Sequence, residues 1–262
     1  CLPLGRCIYI YLSLLMMLSL SSCQQEVSWL EPQIIQTYPH DPAAFTQGLV
    51  FDDGKLYEST GLNRYSSLRE VELATGEVKR FFPLEDTYFA EGLALVGNKL
   101  YQITWLNSTV FIYNRDNFSR EASLSYHGEG WGLCYDGVSL YMSDGSSLIR
   151  QRNPADFTIL KTLSVNLDGQ AVDQLNELEC VGNYIYANIW HSDTILKIDK
   201  NNGKVISQID ASKLLSPEER AQLDTEAVLN GIAYNPSSNT FYLTGKWWPK
   251  LFEVRFVTKP HQ

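Results

Sequence analysis

Short runs of alternating hydrophobic and polar residues, separated by glycine, asparagine and aspartate, fill most of this 262-residue chain. The alternation is clear in Leu196-Lys197-Ile198-Asp199 and in Leu251-Phe252-Glu253-Val254. A period of two is typical of antiparallel strands with one buried face, because successive side chains leave opposite faces of a sheet. Pairs that favour tight hairpin turns stand between the runs at Asp53-Gly54, Gly97-Asn98, Asp136-Gly137 and Gly182-Asn183. The pattern therefore predicts an all-β protein.

A short phrase recurs five times and marks a repeat of about 40 to 50 residues. Its copies are Gln47-Gly48-Leu49, Glu91-Gly92-Leu93, Trp131-Gly132-Leu133, Asn176-Glu177-Leu178 and Asn230-Gly231-Ile232. A tyrosine follows each copy, at Tyr57, Tyr101, Tyr141, Tyr186 and Tyr242, and four residues later stand Gly61, Trp105, Gly145, Trp190 and Lys246. A recurring unit of this length with four short strands is typical of a propeller blade. We therefore expect residues 32–257 to form a single five-bladed β-propeller, followed by a tail at 258–262.

The two irregular parts of the repeat predict a closing strand and an insertion. The fifth unit lacks one strand, and residues 32–38 can supply it, so that an N-terminal strand closes the ring and removes exposed sheet edges. The longest spacing between copies contains residues 212–229, where Ser216-Pro217-Glu218-Glu219 predicts the start of a short helix. This insertion is either a lid beside an axial pocket or a solvated excursion that packs on one rim.

The N-terminal residues predict export. Arg6 precedes an apolar run that ends at Ser21-Ser22-Cys23, which is typical of a signal peptide over residues 1–22. Because the run is shorter than the roughly 20 residues that span a bilayer, we expect no retained transmembrane helix. Leu20-Ser21-Ser22-Cys23 is similar to a bacterial lipobox, in which the cysteine becomes the lipid-bearing first residue of the mature protein. The alternative is cleavage of an ordinary signal peptide nearby, without lipid attachment. We expect a lipid on Cys23, a linker over 23–31, and a periplasmic or outer-membrane lipoprotein of the cell envelope, with no other membrane contact.

Charge and cysteine content narrow the function further. The formal net charge of −9 leaves no basic stripe for phosphates, which argues against nucleic-acid binding. The histidines lack metal-ligand spacing, so we expect no metal and no cofactor, and we expect a monomer. Alignment of the repeats sets Cys134 beside Glu179, one residue before Cys180. We therefore expect the two thiols to leave opposite faces of their strands and to form no disulfide.

Equivalent positions of the five units should converge on one axis. At two of these positions the five units carry different types of residue. The glycines and tyrosines recur, whereas the first position of the phrase and the position four residues after the tyrosine vary in chemistry. Glu91 is the one carboxylate at these two variable positions. The other side chains there include indoles, amides and Lys246. Apolar walls would raise the pKa of this carboxyl and the lysine would lower it, and the sequence leaves that balance open. The alternative to a functional site is that the tryptophans only pack in the core and that Glu91 accepts hydrogen bonds from backbone donors.

Several motifs, in order between about Tyr38 and Phe256, are similar to those of a known family. They include Phe45-Thr46-Gln47-Gly48-Leu49, Phe89-Ala90-Glu91-Gly92-Leu93, Gly128-Glu129-Gly130-Trp131-Gly132-Leu133, Leu175-Asn176-Glu177-Leu178-Glu179, Asn188-Ile189-Trp190 and Thr244-Gly245-Lys246-Trp247-Trp248-Pro249. The chain resembles the glutamine cyclotransferases of plant and bacterial type, which are five-bladed propellers. The resemblance places the family's catalytic glutamate on Glu91. It places the family's pocket residues on Phe45, Gln47, Phe89, Trp105, Trp131, Asn176, Trp190 and Lys246.

The resemblance implies a metal-independent enzyme whose substrates are peptides or proteins that begin with glutamine. Such an enzyme converts the terminal glutaminyl residue to pyroglutamyl and releases ammonia. Glu91 would shuttle the proton, and Gln47, Asn176 or Lys246 would donate to the oxyanion. Two other classes remain open from the residues alone: a calcium-dependent propeller lactonase or esterase, and a propeller that binds a ligand without catalysis.

Overall fold

The computed structural model describes residues 26–260, which are all-β apart from one short helix. The chain begins with β1 (Ser28–Pro39) and then forms successive units of antiparallel strands. The first unit contains β2 (Thr46–Asp52), β3 (Lys55–Thr60), β4 (Ser67–Glu72) and β5 (Val78–Pro83). The second contains β6 (Ala90–Val96), β7 (Lys99–Thr104), β8 (Thr109–Asn114) and β9 (Arg120–Ser125). The third contains β10 (Leu133–Tyr135), β11 (Leu140–Met142), β12 (Leu148–Arg152) and β13 (Ile159–Ser164).

The remaining elements complete two further units. A small hairpin, β14 (Asn166–Leu167) and β15 (Gln170–Ala171), precedes the fourth unit. That unit contains β16 (Leu175–Val181), β17 (Tyr184–Ile189), β18 (Thr194–Asp199) and β19 (Val205–Asp210). The helix α1 (Pro217–Arg220) follows, and the last unit contains β20 (Leu229–Asn235), β21 (Thr240–Gly245) and β22 (Lys250–Thr258). The first three units are separate four-stranded sheets in simple strand order.

β1 joins the two chain ends and the last two units into one sheet. It pairs antiparallel with β22, from Leu30↔Thr258 to Pro39↔Lys250. Its first residues also pair parallel with β19, at Ser28↔Ser207 through Leu30↔Ile209. The result is an eight-stranded sheet in the order β16-β17-β18-β19-β1-β22-β21-β20.

The sequence repeat is visible in the register. Each repeated tyrosine is buried and lies opposite the residue three positions after the start of its phrase. The five pairs are Val50↔Tyr57, Ala94↔Tyr101, Cys134↔Tyr141, Glu179↔Tyr186 and Ala233↔Tyr242. The first strands of the units contact one another in a closed order, β2 to β6 to β10 to β16 to β20 and back to β2. The repeated phrases therefore lie side by side.

Small residues and one buried acid hold these first strands together. A Cβ at Gly132 would collide with the backbone of Asn176, so the close approach of β16 requires glycine there. The fourth unit carries Glu177 at the same point of its phrase. Its buried carboxylate accepts hydrogen bonds from the Ile232 N–H at 2.8 Å and the Leu49 N–H at 3.3 Å. Glu177 thus connects the fourth unit to the first and to the last by hydrogen bonds.

The expectation that Cys134 and Cys180 stay apart is wrong, because they form a disulfide with their Cα atoms 5.4 Å apart. The alignment itself is right, since Cys134 and Glu179 both pair with the repeated tyrosine. The error concerns which faces meet. Adjacent units present opposite faces to each other, so a residue at one repeat position and a residue one position later in the next unit point into the same interface.

The insertion between the fourth and fifth units packs against the last unit. Ser216 caps α1 and forms a capping box with Glu219, as its sequence predicts, although the helix has only four residues. Leu215 and Ala227 are buried in the same cluster as Trp248. The Trp248 Nε1–H donates to the Ala227 carbonyl at 2.8 Å. The insertion is therefore anchored through its apolar side chains. Within residues 26–260, the helical content includes nothing of the length and apolarity that a bilayer crossing needs.

Candidate active site

A cavity of about 420 Å³ opens at the end of the molecule where the first strands begin. It is lined by Phe45, Gln47, Phe89, Glu91, Trp105, Trp131, Asn176, Trp190, Glu226 and Lys246. The structure therefore brings Glu91 and all eight of the predicted pocket residues into one cavity. Asn230, which also occupies a first position of the repeat, is fully buried and lies behind Gln47. Cys23 lies outside the described residues.

A recurring irregularity in the first strands turns these side chains toward the cavity. The pairing of β2 with β3 shifts between Thr46 and Gly48, and the pairing of β6 with β7 shifts between Ala90 and Leu93. Gln47 and Glu91 occupy the residues that these shifts leave out of the ladder. Such bulges redirect a side chain and are common beside active sites. The local register thus explains why the phrase begins with a pocket residue.

Glu91 is held by a chain of two amides. The Gln47 Nε2–H donates to Glu91 Oε1 at 3.0 Å. The Asn230 Nδ2–H donates to Gln47 Oε1 at 3.0 Å and to the Thr46 carbonyl at 2.9 Å. Because Asn230 supplies a donor to the oxygen of Gln47, the amide nitrogen of Gln47 is the atom that faces Glu91. The repeat predicts Asn230 beside these residues on the axis, although the family resemblance did not include it among the pocket residues.

Burial is the largest influence on the pKa values of the two buried ionisable groups in the cavity, Glu91 and Lys246. It raises the pKa of Glu91 well above the ordinary carboxyl value, against the opposing pull of Lys246, and the charge of Glu129 adds to the rise. Burial also lowers the pKa of Lys246, although Glu91 and Glu226 oppose that shift. The balance that the sequence leaves open is therefore settled in favour of burial. A carboxyl of this kind can accept and return a proton near neutral pH.

Aromatic rings form the walls of the cavity. Phe45 and Phe89 meet edge to face with centroids 6.1 Å apart, and Phe89 meets Trp105 at 5.5 Å. On the other side, Trp131 and Trp190 meet at 5.8 Å. Lys246 Nζ lies 4.5 Å from the centroid of the Phe45 ring, a cation–π distance. These rings can exclude water and stack on a flat amide.

Two exposed carboxylates at the rim were missed by the sequence reasoning. Glu129 accepts hydrogen bonds from the indole N–H groups of Trp105 and Trp131. Glu226 lines the cavity from the end of the insertion, with its Oε2 3.4 Å from Nε2 of His191. Glu226 lies in the insertion, whereas Glu129 stands two residues before its phrase, as Phe45 and Phe89 do. Glu129 lies inside the family motif that runs from Gly128 to Leu133, and the available signal for it was that Phe45 and Phe89 hold the same place before their phrases.

A family model described as glutamine cyclotransferase matches residues 8–256. A glutaminyl-peptide cyclotransferase of Arabidopsis thaliana is 39% identical over 227 residues, which cover 86% of this chain and 71% of the plant protein. The chain belongs to the glutamine cyclotransferase family. The resemblance seen in the motifs is therefore confirmed.

Solved structures agree with this family membership. The crystal structure of Myxococcus xanthus glutaminyl cyclase has a TM-score of 0.84 and 43% identity, covering 90% of this chain and all of the other. The WD40 repeats of RRP9 have a TM-score of 0.53 at 10% identity over 86% of this chain, which is a likeness of fold alone. Within residues 26–260, no three His, Cys, Asp or Glu side chains are grouped so that they could hold a metal ion.

Proposed function

We propose that this chain is a glutaminyl-peptide cyclotransferase, which converts an N-terminal glutaminyl residue to pyroglutamyl and releases ammonia. The observation that carries the proposal is Glu91, a buried carboxyl of raised pKa at the floor of an aromatic cavity, in a chain of this family. The names of the plant and Myxococcus relatives support the same activity.

The substrate supplies both the nucleophile and the electrophile. The α-amine attacks the side-chain carboxamide carbon of its own residue, so the protein has only to hold a cyclising rotamer. The ring C–N bond forms, and the bond to the carboxamide nitrogen then breaks. Glu91 takes one proton from the attacking amine and gives it to the departing nitrogen, which leaves as ammonia. Since free terminal amines have pKa values of about 7.7 to 8.0, a nearby base helps to keep the nucleophile neutral.

The other pocket residues have roles that follow from their contacts. Gln47 orients Glu91 through its amide nitrogen. Asn176 Oδ1 is buried and has no hydrogen-bond partner among residues 26–260, so it is free to accept from the substrate amine. Lys246 is the donor for the oxygen on which negative charge develops. Phe45, Phe89 and the three indoles enclose the glutaminyl side chain.

The variant Glu91→Gln tests the function directly. It keeps the volume of the side chain and removes the proton shuttle, so we expect cyclisation to fall by several orders of magnitude. Mass spectrometry of a glutamine-initiated peptide measures it, since the product is lighter by one ammonia. The melting temperature should not fall at neutral pH, because an acid whose folded-state pKa is raised makes the fold less stable as pH rises above the ordinary carboxyl range. Near wild-type ammonia release by this variant would refute the assignment.

We also infer that the five units are the blades of a propeller that β1 closes. The closed order of contacts between first strands and the antiparallel pairing of β1 with β22 support this architecture. The pairing would give the last blade its fourth strand from the opposite end of the chain.

We further propose export and a lipid anchor on Cys23 in a bacterial cell envelope. The sequence of residues 1–23 motivates it, and the Cys134–Cys180 disulfide supports it, because disulfides persist in oxidising compartments. The variant Cys23→Ala should move the protein from the membrane fraction to the soluble fraction. A wild-type protein without bound lipid by mass spectrometry would refute the anchor.

A further inference from the structure

One carboxylate oxygen of Glu129 holds two walls of the cavity. Glu129 Oε2 accepts from Trp105 Nε1–H at 2.8 Å and from Trp131 Nε1–H at 3.0 Å. The two tryptophans belong to different units: Trp105 follows β7 and Trp131 precedes β10. A hydrogen bond to a charged acceptor is stronger than one between neutral groups. Glu129 therefore fixes the separation of two indoles that no shared strand connects.

The same carboxylate completes the aromatic rim. Phe45, Phe89 and Trp105 form one run of edge-to-face contacts, and Trp131 and Trp190 form a second. Glu129 joins the end of the first run to the start of the second. A glutaminyl amide that enters the cavity is thus flanked by rings whose positions depend on this one acid.

The backbone around Glu129 is itself constrained. The Gly130 N–H donates to the Trp105 carbonyl at 3.0 Å, and the Ser108 hydroxyl donates to the Gly128 carbonyl at 2.9 Å. A Cβ at Gly130 would collide with the hydroxyl of Tyr126, so glycine is required for this path of the chain. Glu129 is exposed, but the backbone of both flanking glycines is held by hydrogen bonds.

We propose that Glu129 is a positioning residue of the cyclisation reaction. Its carboxylate sets the spacing of Trp105 and Trp131 for the flat carboxamide of the substrate, and its negative charge acts on Glu91 through the cavity. This inference rests on the proposed function.

Three groups act on or respond to the charge of Glu91. Lys246 favours the ionised form of Glu91, and Glu129 disfavours it. Tyr126, behind Gly130, has its pKa raised by burial, and the charge of Glu91 adds to that rise. Loss of the charge at Glu129 should therefore make Glu91 easier to ionise. The acid limb of the pH profile, where Glu91 gains its proton, would move to lower pH.

The test compares Glu129→Gln with Glu121→Gln. Glu121 is an exposed carboxylate of β9 in the second unit, where it contacts Lys99 and Asn114. Both variants lose one negative charge, so the second controls for the change in net charge. We expect Glu129→Gln to lower kcat/KM for a glutamine-initiated peptide by about tenfold, the scale of one charged hydrogen bond. We also expect its acid limb to move to lower pH, and Glu121→Gln to match the wild type in both measurements.

A second background separates the two actions of Glu129. In Trp105→Phe/Trp131→Phe the rings remain but the indole N–H groups are gone. Adding Glu129→Gln there should cost little further kcat/KM, because the charged hydrogen bonds that it would weaken no longer exist, and it should still shift the acid limb. A double-mutant cycle measures this coupling.

Two results would overturn the proposal. One is a Glu129→Gln enzyme with wild-type kcat, KM and pH profile. The other is an equal loss of kcat/KM in both backgrounds with no movement of the acid limb, which would indicate a merely structural effect. Tryptophan emission needs no substrate and reports the indole contacts alone. A wild-type protein that releases no ammonia but whose emission changes in Glu129→Gln would therefore refute the function and leave the contacts established.

Discussion

At the scale of single residues, the two buried ionisable groups of the cavity, Glu91 and Lys246, are shifted by burial toward their neutral forms. The pKa of Glu91 is raised and that of Lys246 is lowered, each chiefly by desolvation. Lys246 favours the ionised form of Glu91, while Glu91 and Glu226 favour the charged form of Lys246. A base with a raised pKa binds a proton more readily than an ordinary carboxylate, and a lysine with a lowered pKa loses one more readily. Both shifts therefore favour proton exchange by this pair.

The variant Lys246→Met tests this coupling. It removes the charge that favours ionised Glu91 and retains much of the apolar stem over Phe45. We expect the acid limb of kcat/KM to move to higher pH, opposite in direction to Glu129→Gln. We also expect a lower kcat, because a donor to the developing oxyanion is lost. Rate measurements across pH on a glutamine-initiated peptide are sufficient. An unmoved acid limb would show that Lys246 does not act on Glu91.

Sequence reasoning found the residues of the repeat and missed those of the loops. Glu91, Gln47 and Lys246 could be predicted because their positions are shared by every unit while their chemistry is not. Glu226 lies in the insertion, which has no equivalent in the other units, so no internal comparison exposes it. Glu129 stands two residues before Trp131, as Phe45 and Phe89 stand before Gln47 and Glu91, and it is the one acid at that position of the repeat. The direction in which the pKa of Glu91 shifts could not be predicted from the sequence. It depends on two opposing effects, the depth of burial of the side chain and its distance from Lys246.

At the scale of elements, the disulfide joins the first strands of the third and fourth units. Cys134 lies in β10, which has only three residues, and Cys180 lies in β16. β10 has the shortest ladder of any first strand in the described chain, so the cross-link supports the place where pairing is least extensive. Sequence alignment gave the correct repeat positions for both cysteines. It could not show that neighbouring units meet through opposite faces, which is a property of the assembled sheets.

Loss of this disulfide should destabilise the fold without abolishing catalysis. For Cys134→Ala/Cys180→Ala we expect the free energy of unfolding to fall by about 2 to 4 kcal/mol, because the unfolded chain regains the freedom that the cross-link removes. Cyclisation by the folded fraction should be retained. Chemical denaturation with and without a reducing agent measures the effect. The reductant should lower the stability of the wild type and leave that of the double variant unchanged.

At the scale of the whole molecule, β1 is the element on which the proposed closure depends. It contacts both β19 and β22 and thereby links the fourth unit to the last. The sequence predicted its role from a count of strands, since the last unit is one strand short. The extension of β1 back to Ser28 and its parallel pairing with β19 were not predicted. They depend on the approach of two units that are remote in the chain.

Removal of the first part of β1 tests the closure. A protein that begins at Gln36 lacks the pairs from Leu30 to Ile34 with β22 and every pair with β19. We expect it to lose its cooperative thermal transition and to be cut rapidly by proteases. A protein that begins at Glu26 keeps the whole strand and is the matched control. Protease resistance of the shorter protein at the level of the control would contradict the proposed closure.

The direction of β1 also determines which way the molecule faces. The strand enters at Ser28, beside Thr258 near the end of β22, and reaches Pro39 beside Lys250, where the chain turns into the wall that contains Phe45. Both outer ends of this antiparallel pair therefore leave from the side remote from the cavity. Any tether, tag or solid support attached before Glu26 or after Pro260 would orient the opening toward bulk solution, where long polypeptides could present their amino termini unhindered.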